Sequence, residues 1–133
     1  MYAGFVTVSA ADGSQSSLAL GAYLTSKYAV WCGSATIEDT PIEAYSAWSR
    51  DYVTVLTGSA AGTKVYQDGL SVFSTGNTPD SKANSRLTLY GTRTADPSYA
   101  AKVYSYLVAA WDRTLSASEV AELSANPWQL FQP

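Results

Sequence analysis

The chain is 133 residues long, 47% hydrophobic and 14% charged, with eight basic residues against eleven acidic ones, a net charge of −3, no histidine and one cysteine. This length fits one domain with a core that needs no staples. The charge balance leaves no cationic patch for nucleic-acid phosphates or an anionic membrane, and the missing histidine excludes Ser–His and Cys–His nucleophile pairs and the usual zinc and iron sites.

In chain order, residues 1–9 alternate loosely and run into the turn-like Ala11-Asp12-Gly13-Ser14. Residues 17–23 alternate next, and residues 27–32 are short and rich in β-formers. Cys32 has no internal disulfide partner and, after Val30 and Trp31 and before Gly33, is expected as a small buried hydrophobe. Residues 36–45 carry Glu38, Asp39, Pro41 and Glu43. A proline cannot donate to a ladder, so this stretch is expected as a loop or an edge strand.

Residues 52–57 alternate cleanly, with Val53 and Val55 on one face and Tyr52, Thr54 and Leu56 on the other. Gly58-Ser59-Ala60-Ala61-Gly62 is a flexible turn, and residues 63–67 form the next strand. Asp68-Gly69 is the strongest hairpin signal, because both residues tolerate the positive φ of a two-residue type I′ turn. Residues 70–73 return from it. Residues 74–85 hold almost no apolar group and include Gly76, Asn77, Pro79 and Asp80, so a long exposed loop is expected. Residues 86–90 form a strand and residues 91–99 a second loop. The longest strand is expected at 103–111. Val103, Leu107, Ala109 and Trp111 fall on one face and Tyr104, Tyr106 and Val108 on the other, the pattern of a strand covered on both sides.

One helix is expected at 117–124. Ser116 and Glu119 have capping-box spacing, and Leu115 and Val120 have the spacing of a hydrophobic staple. Val120 and Leu123 share a face, whereas Glu119 and Glu122 are solvated. Asn126 is suited to the left-handed closing position, and Pro127 forbids continuation. About nine short strands and one helix describe a sandwich rather than a βαβ fold. No internal repeat or low-complexity linker interrupts it.

Three blocks resemble the laminin-G-like, concanavalin A-like superfamily. The first is Trp48 with Asp51-Tyr52-Val53-Thr54-Val55. The second is Lys64-Val65-Tyr66-Gln67-Asp68-Gly69-Leu70-Ser71-Val72. The third is residues 86–91 followed by 106–123, a Gly-ended strand, a core strand, an Asp-Arg-x-Leu turn and a Ser-x-x-Glu helix. The ending Asn126-Pro127-Trp128-Gln129-Leu130-Phe131 is similar to the tails of such domains in bacteriophage and prophage structural proteins. The resemblance covers roughly residues 48–133. It implies an all-β fold: residues 1–133 as a single two-sheet antiparallel jelly-roll sandwich with one short C-terminal helix. Two or three of the family's opening strands have no counterpart here. Unpaired edges must be covered or paired, so the sandwich is expected to be reduced or completed by self-association.

The superfamily includes glycoside hydrolases, whose retaining members need two carboxyls about 5 Å apart. The acidic cluster Glu38-Asp39-Thr40-Pro41-Ile42-Glu43 departs from the family's Glu-x-Asp-x-x-Glu pattern, and Pro41 breaks its alternation, so a solvated loop is expected. Calcium, the family's frequent metal, needs six to eight oxygens. Asp12, Asp39, Asp51, Asp80, Asp96 and Asp112 are scattered, with Asp80 and Asp96 in the two loops that can converge; elsewhere loop aspartates cap turns. Asp112 is expected in turn chemistry or in an ion pair with Arg113.

Sugar binding combines an aromatic platform with amide and carboxylate partners. Trp31, Trp48 and Trp111 are expected in the core and Trp128 folded back on the sandwich. The candidate ligand-binding residues are therefore Tyr45, Asn77, Asp80, Asn84, Asp96 and Tyr99.

The expected function is binding without catalysis, to a glycan or a protein surface. The alternatives are a structural virion or assembly protein and, more distantly, a degenerate glycoside hydrolase. The partners implied are a glycan or protein surface and further copies in a homo-oligomer or larger assembly, not nucleic acid or membrane. No apolar run approaches the ~20 residues of a bilayer span, and no signal peptide opens the chain. A surface of Ser, Thr, Gly, Asn and Tyr fits a virion or extracellular location, reached by lysis, by assembly into a particle or by a leader since removed.

Overall fold

A computed structural model describes residues 2–9, 16–23, 27–32, 36–40, 53–79, 86–89 and 107–131. Among them run eight strands: β1 (Tyr2–Ser9), β2 (Ser16–Tyr23), β3 (Lys27–Cys32), β4 (Thr36–Thr40), β5 (Thr54–Ser59), β6 (Gly62–Gln67), β7 (Leu70–Thr75) and β8 (Arg86–Leu89). One helix, α1 (Ala117–Ala125), and a 3-10 turn (Pro127–Phe131) follow. All pairings are antiparallel. One sheet has five strands in the order β4-β3-β2-β1-β8, and the other has three in the order β5-β6-β7. The chain thus leaves the larger sheet after β4 and returns to pair β8 beside β1. The β1–β2 register shifts between Gly4 and Val6, where Phe5 is the extra residue, and again between Val8 and Ser9, where Ser17 of β2 is. β4 is an edge strand that ends at Thr40, just before Pro41.

The smaller sheet is built by two tight turns. Asp68 and Gly69 take φ of 50° and 83°, and Gln67 pairs with Leu70 across them. The Asp68 amide donates to the Val53 carbonyl at 2.8 Å, and the Asp68 carboxylate accepts from the Val53 amide at 3.0 Å, so the turn holds the start of β5 as well. The first turn is shorter than the glycine-rich stretch implies. Ser59 pairs with Gly62, so only Ala60 and Ala61 turn. Positive φ falls instead on Gly62, at 120°, where a β carbon would run into the Thr75 carbonyl oxygen. The return strand also reaches Thr75 rather than stopping at Phe73. Thr63 pairs with Thr75 there, and its hydroxyl donates to the Asn77 carbonyl at 2.9 Å.

Central β6 is buried on both faces. Val65 and Thr63 are completely buried, and Tyr66 is 6% exposed. Successive strand residues point to opposite faces and directly paired residues share one. Tyr66, opposite Val55, packs with Leu115, Val120 and Leu123 of the helical segment. Val65, between Leu56 and Phe73, lies on the face away from α1.

The helix forms where its caps require. The Ser116 Oγ accepts from the Glu119 amide at 3.3 Å, and the Glu119 Oε2 accepts from the Ser116 amide at 2.8 Å. Leu115 and Val120, the staple pair, are both buried. α1 sits on the second hairpin turn: a β carbon on Gly69 would lie 3.3 Å from the Ala121 Cα. Gly69→Ala is therefore expected to cost about 1–2 kcal/mol, since it adds left-handed strain to a tight contact. Urea unfolding that shows no loss would contradict this docking.

Three expectations at the C-terminal end are corrected. Residues 107–111 carry no strand, and Val108 and Trp111 are 43% and 41% exposed. Alternating apolar residues supply side chains for a sheet but no backbone partner, and the adjoining segment is drawn elsewhere, with the Thr114 hydroxyl donating to the Gly58 carbonyl at 2.8 Å. Asn126, with φ −147° and ψ 80°, is not left-handed. Its amide still donates to the Glu122 carbonyl at 3.1 Å, and Pro127 alone ends the helix by opening the 3-10 turn. Trp128 is 52% exposed. It meets Phe131 at 6.3 Å between ring centroids, a local contact that spacing within one turn brings about before any fold-back onto a sheet.

Candidate functional site

Among the sequence candidates, the structure describes Asn77. It is half-buried just beyond β7. Besides its carbonyl contact with Thr63, its amide donates to the Thr75 hydroxyl at 3.2 Å, so its backbone closes the end of the sheet. Tyr45, Asp80, Asn84, Asp96 and Tyr99 lie outside the described residues, as do Glu43 and Trp48. Glu38 and Asp39 are consecutive positions on edge strand β4. Cys32 ends β3, paired with Leu18 and Thr36. No helix among the described residues is long and apolar enough to cross a membrane. No cluster of three or more Asp, Glu, Cys or His side chains suited to a metal occurs among them either; of the two loop aspartates proposed to converge on calcium, both lie outside.

A cleft of about 200 Å³ opens at the helical end, lined by Trp111, Arg113, Leu115, Glu119, Glu122, Leu123 and Gln129. Its construction is dictated by the sequence. The capping box starts α1 at Ala117, so Glu119, Glu122 and Leu123 stand at i, i+3 and i+4, on one face. Pro127 then opens the 3-10 turn that brings Gln129 into the lining. Trp111, 41% exposed, supplies an accessible indole. Leu115, also in the lining, is 6% exposed.

A second cleft of about 220 Å³ lies between β5, β6 and the start of α1, and includes Ser59, Lys64, Tyr66, Thr114 and Ser116. It is rich in hydroxyls, but its ring, Tyr66, is buried in the core. A sugar face has nothing to stack on there.

Glu119 is the most constrained group of the first cleft. Its Oε2 accepts from Arg113 Nη1 at 3.0 Å, from the Ser116 amide at 2.8 Å and from the Ser116 hydroxyl at 2.9 Å, while its Oε1 accepts from Arg113 Nη2 at 2.5 Å. The Arg113 hydrogen bonds, and then those from Ser116, hold its carboxyl down at about 2 against an ordinary 4.5. Arg113 thus pairs with Glu119 and not with Asp112, because the capping box fixes the Glu119 carboxylate where the guanidinium fork can meet both its oxygens.

A carboxyl depressed in the folded state stabilises it above the unfolded value and ceases to do so as pH falls through the folded value. The Glu119 contribution is accordingly full above about pH 4.5 and lost on the way to about pH 2. The side chains of Arg113 and Glu119 are 56% and 37% exposed, so salt weakens the pair. Glu119→Gln is expected to flatten the acid limb of thermal stability against pH in this window. An unchanged acid limb would contradict the pairing.

Sequence reasoning missed Trp111 by assigning it to a core strand. The signal that finds it lies on its C-terminal side. Asp112-Arg113 and the capping box make residues 112–116 a polar turn, and Trp111 directly before it is 41% exposed.

No family model matches the chain, and no curated protein matches it. Among solved structures it is similar to a sialidase of Trypanosoma rangeli in complex with 2-keto-3-deoxy-D-glycero-D-galacto-2,3-difluoro-nononic acid. The two are 20% identical, with a TM-score of 0.66, over 92% of this chain and 20% of that one. The likeness is one of fold: the described residues are antiparallel strands with one small helix, and the chain spans about one fifth of the sialidase's length.

Proposed function

We propose that the chain is a non-catalytic β-sandwich module that binds a glycan at the Trp111 cleft. The observation that carries this reading is the accessible Trp111 indole beside the Glu122 carboxylate and the Gln129 amide. An aromatic face for a pyranose, next to hydrogen-bonding groups for its hydroxyls, is the chemistry of a sugar site. Complete burial of Val65 and Thr63 on the face away from α1 supports a second layer over that face, as does the return of β8 to the other sheet. A closed two-sheet sandwich of concanavalin A-like type is the arrangement that meets both.

Glu119 is not suited to be the general acid of a hydrolase. A glycosidase acid needs a raised pKa, and this carboxyl is held ionised by Arg113 and Ser116. The sialidase likeness covers one fifth of that chain and bears on fold. The phage-like C-terminal tail favours a virion as the setting, where the module would serve cell-surface recognition.

A glycan array probed with the wild-type protein and Trp111→Ala tests the proposal. Binding by the wild type that the variant loses supports it, and release of reducing ends from a bound glycan would overturn the non-catalytic part. A second reading, a structural assembly domain, is favoured by the exposure of Trp128, Leu130 and Phe131 at 52%, 43% and 67%. An empty array together with symmetric oligomers in solution would select it.

A further inference from the structure

Resting on the glycan reading of the Trp111 cleft, we propose that this cleft selects uncharged sugars, and that Glu119, by occupying Arg113, is the residue that turns carboxylated sugars away. A guanidinium fork is the side chain best matched to a carboxylate, through two parallel N–H···O bonds. In this cleft that match is already made. Arg113 Nη1 and Nη2 donate to the two oxygens of Glu119 at 3.0 and 2.5 Å. Nor is Glu119 free to swing aside, because its Oε2 also holds the amide and hydroxyl of Ser116 at 2.8 and 2.9 Å. Displacing it would give up the carboxylate half of the capping box.

The remaining charge points the same way. Among the described residues, Arg113 is the cation of the lining, against the carboxylates of Glu119 and Glu122. Asp112 also lies close enough to act electrostatically on the Arg113 guanidinium. An incoming sugar carboxylate would meet negative charge and a guanidinium already matched, and the net charge of −3 opposes its approach from a distance. A neutral sugar meets the indole, a carboxylate that accepts from its hydroxyls, and an amide that both donates and accepts.

The test uses printed arrays of neutral oligosaccharides and their counterparts carrying a sialic or glucuronic acid, probed with the wild type and Glu119→Gln. Glutamine is accepted at this capping-box position, so the helix is kept while Arg113 is released, and a thermal melt verifies the fold. The wild type is expected to bind neutral members about tenfold or more tightly than their acidic partners. Glu119→Gln is expected to narrow that gap several-fold by improving binding of the acidic members. Added salt should narrow it in the wild type by screening, a readout that needs no variant. Acidic members bound as well as neutral ones by the wild type would overturn the inference and leave the glycan reading standing. An unchanged gap in Glu119→Gln would overturn the role of Glu119. Binding of neither set would overturn the glycan reading and this inference with it.

Discussion

Val65→Asp is expected to abolish folding. Val65 is completely buried at the centre of β6, between Leu56 and Phe73, on the face of the small sheet away from α1. A carboxylate there loses its hydration and gains no partner, which costs several kcal/mol or forces the group to protonate. Domain stabilities are typically about 5–15 kcal/mol, so one such change consumes most of the margin. Val65→Ala, which only removes methyl groups and leaves a small void, is expected to cost about 2 kcal/mol. Thr54→Asp on the exposed end of β5 is the control and should fall within about 0.5 kcal/mol of the wild type. Urea unfolding followed by circular dichroism separates the three. The decisive comparison is between the two aspartates. If Val65→Asp unfolds no more easily than Thr54→Asp, nothing covers that face, and the sandwich proposal fails while the helix-side core of Tyr66, Leu115 and Val120 stands.

Trp111→Ala is expected to weaken glycan binding by about 30-fold or more, the loss typical of a central aromatic anchor. Among the described residues, the ring supplies the one accessible flat apolar face in the cleft. The other apolar lining residues, Leu115 and Leu123, are aliphatic, and both pack toward the core around Tyr66. Trp111→Phe should retain part of the affinity, because a smaller ring still stacks. Neither substitution should move the unfolding midpoint far, since Trp111 lies in an irregular segment and is 41% exposed. Calorimetric titration with the strongest array hit gives both numbers. Undiminished affinity in Trp111→Ala would place the ligand elsewhere, with the sequence candidates Tyr45, Asp80, Asn84, Asp96 and Tyr99 next in line.

What was legible in the sequence was whatever local chemistry decides. Asp68-Gly69 specified its turn because few residues tolerate positive φ. Ser116 and Glu119 specified the helix start because orphan amides there need side-chain acceptors, and Pro41 pointed to a loop or an edge strand, where β4 is found. What was not legible depended on backbone partners. Residues 107–111 alternate like a strand, yet alternation does not provide a neighbouring ladder. Gly58 to Gly62 look like a flexible turn, yet pairing with β6 carries the strand through Ser59. Trp111 was misplaced for the same reason, and with it the cleft. The choice of Glu119 over Asp112 as the Arg113 partner was hidden as well. It joins residues six apart across a cap, a spacing that no helical or strand period brings to notice.

Heteronuclear NMR of the indole N–H groups reports most directly on where a sugar sits. The chain has four tryptophans, and single substitutions assign their signals. On titration with an array-selected neutral oligosaccharide, the Trp111 signal should move the furthest of the four. A stationary Trp111 signal while another indole responds, or four stationary signals at saturating sugar, would contradict binding at this cleft.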